Sequence, residues 1–176
     1  MEEKLWFAMR DLKRANAKMP AYKLLQEMGF EVFTPMTQKV TLKNGKRIRE
    51  QVPYLHDLLF VYDTRDALDP IVAKTQTLQY RYRRGAYCDP IVVRTEDMNR
   101  FIHAVRLSQE PRYFLPEEIT KSMLGRRIKI VGGALNDYEG RLLSIHKRGH
   151  TKSILVELPH FLYVSIAIDS GFIEFI

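Results

Sequence analysis

Apolar residues recur at different spacings along this 176-residue chain, and the pattern changes near residue 108. Before that point helical and strand patterns alternate. Ala21, Leu24, Leu25 and Met28 stand at i, i+3, i+4 and i+7, with Pro20 ahead and Gly29 behind. This predicts a helix with one buried stripe. Met98, Phe101, Ile102 and Val105 repeat the spacing behind Thr95, a capping residue, with Glu96 and Asp97 favouring the positive end of the helix. Strand-like segments fall at 4–10, 30–36, 58–62, 78–82 and 91–93. Asp69-Pro70 reads as a cap followed by a first-turn proline, opening a short helix through about Thr75. Such alternation over residues 1–107 implies a sheet with helices packed on it.

After Leu107 the helical period disappears. Residues 108–120 contain Pro111, Pro116 and charge, and are expected to form a linker. Residues 121–176 show only short strands, at 128–131, 141–146, 154–158, 162–168 and 172–176. Leu162, Val164, Ile166 and Ile168 alternate with Tyr163, Ser165 and Ala167, so one face points to a core. Short strands packed into so few residues are expected to close as a small barrel with few exposed edges. The expected class is α+β.

Residues 38–52 form two polar arms around Lys43-Asn44-Gly45-Lys46. Asn-Gly accepts the positive φ of a tight turn, so a β-hairpin is expected. Lys39, Lys43, Lys46, Arg47 and Arg49 face only Glu50 in opposition, and so few apolar residues predict a hairpin that projects from the body or is mobile. Arg81, Arg83 and Arg84 add to this charge. With 28 Lys and Arg against 21 Asp and Glu, the net charge of +7 favours nucleic acid, or an assembly that holds it, as partner.

Other chemistries find little support. A single cysteine, Cys88, excludes an intrachain disulfide and a multi-cysteine zinc site. His56, His103, His146, His150 and His160 present no H-x-x-x-H pair on a helix, so neither a metal site nor a cofactor is expected. Asp57, Asp63, Asp66 and Asp69 are conceivable metal ligands of an enzyme acting on nucleic acid. However, no paired acid and base and no phosphate-cradling glycine loop accompany them, and no catalysis is expected. The opening Met1-Glu2-Glu3-Lys4 is charged with no long apolar core behind it, and the longest apolar runs are too short to cross a bilayer. A cytoplasmic monomer without membrane contact is the expectation.

The segment from Gly125 to Val131 leads into Gly133-Ala134-Leu135-Asn136-Asp137-Tyr138-Glu139-Gly140-Arg141. This resembles a KOW motif, a tight loop between two barrel strands. Gly133 and Gly140 suit unusual φ values and close backbone approach, and Leu135 would tuck into the barrel end. Asp137 stands where that motif often has a further glycine, and aspartate tolerates left-handed backbone better than most residues. Ahead of it, the first domain opens with Leu5-Trp6-Phe7, as NusG N-terminal domains do. Pro53-Tyr54-Leu55-His56-Asp57-Leu58-Leu59-Phe60-Val61 is similar to the family's signature strand, usually Pro-apolar-apolar-Pro-Gly-Tyr-apolar-Phe-Val. Here His56-Asp57 replaces Pro-Gly and Leu58 replaces the tyrosine. Gly85, Pro90-Ile91-Val92-Val93 and the capped helix match the end of that domain. The chain therefore resembles the NusG family, and its departures fit a specialised paralogue similar to RfaH or the UpxY antiterminators of capsule operons.

The resemblance implies an NGN-type α/β sandwich over residues 1–107, an antiparallel-rich sheet flanked by helices, and an SH3-like KOW β-barrel over 121–176. The first domain would grip the clamp helices of RNA polymerase through an open apolar cleft at Tyr54, Leu58, Phe60, Tyr80 and Tyr82, suppressing pausing or termination. Lys43, Lys46, Arg47, Arg49, Arg81, Arg83 and Arg84 would meet upstream DNA, the non-template strand or nascent RNA through phosphates. The KOW domain would recruit Rho or a ribosomal protein. The alternation in 162–168 argues against an α-helical form of that domain. A competing reading is an RNA-binding KOW protein of ribosome assembly or translation.

Overall fold

The computed structural model describes residues 2–144 and 151–176, and the chain divides into two compact units, Met1–Thr95 and Glu96–Ile176. The first unit contains β1 (Leu5–Asp11), α1 (Ala21–Glu27), β2 (Glu31–Phe33), β3 (Met36–Lys43), β4 (Lys46–Pro53), β5 (Leu58–Asp63), α2 (Arg65–Lys74), β6 (Leu78–Tyr80) and β7 (Val92–Val93). Its main sheet is antiparallel in the order β2-β5-β1-β6, and β7 pairs with β1 beside β6. Leu58, Leu59, Phe60 and Val61 are all buried, the mark of a strand covered on both faces. On one face Phe7, Met9, Leu59 and Val61 pack with Ala21 and Leu25 of α1, Leu68 of α2, and Leu78 and Tyr80. The register sets Ala8 opposite Phe60 and Arg10 opposite Leu58, which places Leu58, Phe60 and Trp6 on the other face.

Two local choices fix the helices. Asp11 is buried, and its carboxylate accepts the Lys13 N–H at 2.9 Å and the Ala21 N–H at 2.7 Å. It thus caps α1 from a distance, where Pro20 supplies no side-chain cap. The second helix begins a turn earlier than Asp69-Pro70 suggests. Thr64 is its cap, accepting the Ala67 N–H at 3.2 Å, and Pro70 lies inside the helix. The proline forgoes one backbone bond there, and the cap and buried Leu68 outweigh that loss.

The second unit holds the helix α3 (Thr95–Leu107), which starts at the boundary, and β8 (Arg112–Phe114), β9 (Leu124–Ile130), β10 (Glu139–Leu143), β11 (Thr151–Leu158), β12 (Leu162–Asp169) and β13 (Ile173–Phe175). They form an antiparallel sheet in the order β13-β9-β10-β11-β12-β8. Residues 108–120 are therefore more than a connector. Arg112, Tyr113 and Phe114 pair with Ser165, Val164 and Tyr163, and Pro111 and Pro116 flank the strand, as suits a short edge. The expected closed barrel is not formed among the described residues. β8 takes the free edge of β12, and the ladder runs open from β13 to β8. The strand expected at 141–146 ends at Leu143; residues 145 and 146, like His150, lie outside the described residues.

Alternation along these strands builds the core of the second unit from Ile128, Ile130, Ile154, Val156, Leu158, Leu162, Val164 and Ile166. Leu135 is also buried, and Gly133 and Asp137 have φ of 70° and 66°. At Gly140 the constraint is space: a Cβ there would lie 2.6 Å from the Tyr138 ring. That ring is held by its hydroxyl, which donates to the Leu155 carbonyl at 3.1 Å and accepts the Glu157 N–H at 3.4 Å. Among the described residues no helix is long and apolar enough to cross a membrane.

Candidate functional site

β3 and β4 pair along their whole length as a separate two-stranded ribbon, from Met36 opposite Pro53 to Lys43 opposite Lys46. The turn has φ of 51° at Asn44 and 73° at Gly45, the positive values a tight hairpin turn of this hand requires. The register sorts the side chains. Val40 lies opposite Arg49 and Leu42 opposite Arg47 on one face, while Lys39 opposes Glu50 and Thr41 opposes Ile48 on the other. Leu42 is 72% exposed. Lys43 Nζ meets Glu50 Oε1 at 2.7 Å, and this bond, with the lysine charge, holds the Glu50 carboxyl below its usual range. The ribbon's one acid is thus engaged, and Lys46, Arg47 and Arg49 are exposed.

The three arginines near residue 82 have different environments. Arg81 is half-buried; its Nη2 donates to the Asp57 carboxylate at 3.1 Å and the Asp57 carbonyl at 3.2 Å, and its Nε to the Met9 carbonyl at 3.4 Å. Burial pushes its pKa down, and Asp57 opposes that shift. It braces the end of the sheet, which corrects the expectation of a phosphate contact. Arg83 is exposed and pairs with Asp89 at 3.4 Å. Arg84 is exposed.

The aromatic cleft needs a larger correction. Leu58, Phe60 and Tyr80 are 2%, 0% and 5% exposed. The reason is that β5 is a central strand with apolar residues on both faces, and β6 sends Tyr80 into the core shared with α1 and α2. The Tyr80 hydroxyl donates to Asp69 Oδ1 at 2.8 Å; burial first, and the Asp69 carboxylate second, push its pKa well up. Tyr82 is 46% exposed, its ring edge-on to Tyr80 with centroids 6.2 Å apart. Tyr54 is half-buried, and its N–H donates to the Pro35 carbonyl at 2.8 Å.

Of the four aspartates considered as metal ligands, Asp57, Asp63 and Asp69 have carboxylates engaged with separate partners, and Asp66 is held through its backbone. Asp57 meets Arg81 and Arg10, Asp63 accepts the Thr64 N–H and pairs with Lys4, the Asp66 N–H donates to Glu2, and Asp69 pairs with Arg65 and Tyr80. Among the described residues no group of three or more His, Cys, Asp or Glu could hold a metal ion. Sequence reading also missed Tyr87, which is 98% exposed in the loop beyond Arg84. Neither period nor motif marks a lone aromatic in a loop.

Residues 4–102 match the sequence model of the NusG family, described as transcription termination factor nusG. No curated protein matches the chain in sequence. NusG of Thermotoga maritima, solved in work on domain interaction in that protein, superposes with a TM-score of 0.50 at 12% identity, covering 98% of this chain and 97% of that one. At that identity the likeness shows the fold alone, whereas the family match spans more than half of the sequence. The chain belongs to the NusG family of transcription elongation and termination factors.

Proposed function

We propose that this protein is a specialised elongation factor that binds the clamp helices of RNA polymerase through its first unit and suppresses pausing or termination at a subset of operons. The observation that carries the reading is Tyr82, an aromatic kept at the surface by its edge contact with Tyr80, within the region matched to the family. Tyr54 is the second proposed contact. Binding of this kind holds polymerase in one of its conformations, so the protein acts on an equilibrium and needs no chemistry of its own. The departures at His56, Asp57 and Leu58 favour a specialised role, because Asp57 anchors Arg10 and Arg81 and Leu58 fills the core.

Lys46, Arg47 and Arg49 on the ribbon, with Arg83 and Arg84, would meet phosphates of upstream or non-template DNA or of nascent RNA. In the second unit, Gly133, Leu135 and Gly140 would form the loop of a KOW domain that recruits a further protein such as Rho or a ribosomal protein. The protein would act as a monomer in the cytoplasm. The test is transcription in vitro with purified polymerase on templates carrying a pause and a terminator. Shorter pauses or increased readthrough support the reading. No effect on either, together with co-sedimentation with ribosomes, would replace it with the RNA-binding alternative.

A further inference from the structure

A cavity of about 340 Å³ opens at the foot of the ribbon. Its walls come from the end of β1 with the loop behind it, the start of α1, the end of β4 and the turn carrying His56; Arg14, Tyr22, Lys23, Gln51, Pro53 and His56 are among its lining residues. We propose that it binds one phosphate-bearing nucleotide unit, with Arg14, Lys23 and His56 receiving the phosphate and Tyr22 the base.

The charge distribution carries the inference. Two acids line the cavity, and both are engaged. Asp11 is buried, its two oxygens accepting the N–H groups of Lys13 and Ala21. Glu50 accepts from Lys43 at 2.7 Å. Arg14, Lys23 and His56 are exposed and have no acidic partner among the described residues. A concave wall with its carboxylates bonded and its cations unopposed attracts an anion, and charge-assisted bonds from an arginine and a lysine suit a phosphate.

The wall is also preformed. Lys13 Nζ donates to the Met19 carbonyl at 2.7 Å and the Ala17 N–H to the Arg14 carbonyl at 3.0 Å, so the loop bearing Arg14 is closed on itself and tied to β1 through Asp11. Binding then orders little additional chain, which lowers its cost. Tyr22 packs partly against the core, which fixes its ring as a platform, and Lys23 Nζ lies 6.0 Å from the ring centroid. The volume is near the lower end of the roughly 300–1,000 Å³ of small-ligand sites, which suits a single nucleotide.

The ribbon points to the origin of that nucleotide. Gln51 and Pro53 line the cavity and share a face of β4 with Arg47 and Arg49, because alternate residues of a strand lie on the same side. The arginine face therefore leads into the cavity, and a single strand following those arginines would deliver one unstacked nucleotide. A free nucleotide offers the same chemistry. This inference deepens the nucleic-acid part of the proposed function and does not depend on polymerase binding.

The test uses the full chain and a labelled single-stranded DNA decamer followed by fluorescence anisotropy, with adenosine monophosphate and inorganic phosphate as competitors. Arg14→Ala with Lys23→Ala should weaken decamer binding at least tenfold. It should also flatten the dependence of log K on log salt by about 0.7, the slope for the one phosphate that the two cations no longer neutralise. Competition by adenosine monophosphate would identify a free nucleotide as a ligand, and its failure would restrict the site to strands. Decamer binding by the folded double variant equal to that of the native chain, or no binding of any of the three probes to the native chain, overturns the inference. The double variant should still capture polymerase. Capture failing in the native chain while the decamer still binds would remove the polymerase reading alone.

Discussion

Arg81 and Asp57 are joined twice, through the aspartate's carboxylate and through its carbonyl, both from the same guanidinium nitrogen. Asp57 stands where the family signature usually has glycine, and Arg10 reaches the same carboxylate at 3.6 Å. A position that family likeness marks as a turn has become an anchor for two strands. Arg81→Ala should therefore lower stability by about 1–3 kcal/mol, the range for a part-buried charge-assisted hydrogen bond and its stranded partner. Urea denaturation checks this, and an unchanged midpoint would contradict the anchoring role.

Leu58→Asp distinguishes core from surface. A carboxylate at a position 2% exposed costs several kcal/mol, enough to unfold a marginally stable unit. The circular dichroism spectrum should lose its cooperative thermal transition. A variant that melts like the native chain would return Leu58 to the surface.

Gly140→Ala places a methyl group 2.6 Å from the Tyr138 ring and 3.2 Å from the Leu155 carbonyl. The ring cannot yield freely while its hydroxyl bridges Leu155 and Glu157. The substitution should cost about 1–3 kcal/mol, as overpacking does. Tyr138→Phe should cost about 1 kcal/mol through removal of the hydroxyl's hydrogen bonds. Thermal denaturation of the two variants ranks them, and the reverse order would show that the ring moves aside easily.

Alkaline pH provides a test of Tyr80. Its pKa is raised in the folded chain, so the unfolded chain releases the phenolic proton first, near pH ~10. The contribution is complete below that value and is lost as pH rises through the interval up to the folded pKa. Tyr80→Phe should make stability fall less steeply above pH ~10 than in the native chain. Tyr138 and Tyr163, also raised, supply a residual slope in both. Identical slopes would mean that Tyr80 is not held by burial and Asp69.

The sequence shows its fold where spacing alone decides it. The helices α1 and α3, the Asn44-Gly45 turn and the alternation of β12 each follow from a local rule, although the stripe of α1 buries Ala21 and Leu25 and leaves Met28 half exposed at its end. The site is less legible because exposure depends on partners distant in sequence. The run from Leu58 to Val61 states that β5 is apolar, but only the burial of all four side chains in the folded chain shows that both faces are covered. Arg81 resembles Arg83 and Arg84 in sequence, and only the register of β6 on β1 brings it to Asp57. Residues 108–120 carry the composition of a linker, yet β12 offers Tyr113 and Phe114 a paired edge. The cavity below the ribbon draws on several separate segments, and no local pattern marks it.

The proposed role in transcription rests most on the first unit presenting Tyr82 to RNA polymerase. Its most direct measurement is the dissociation constant of the purified chain for purified core polymerase, set beside that of Tyr82→Asp with circular dichroism confirming the fold of both. The native chain should bind, and the folded variant should bind at least tenfold more weakly. Absence of binding by the native chain, or equal binding by the folded variant, would contradict it.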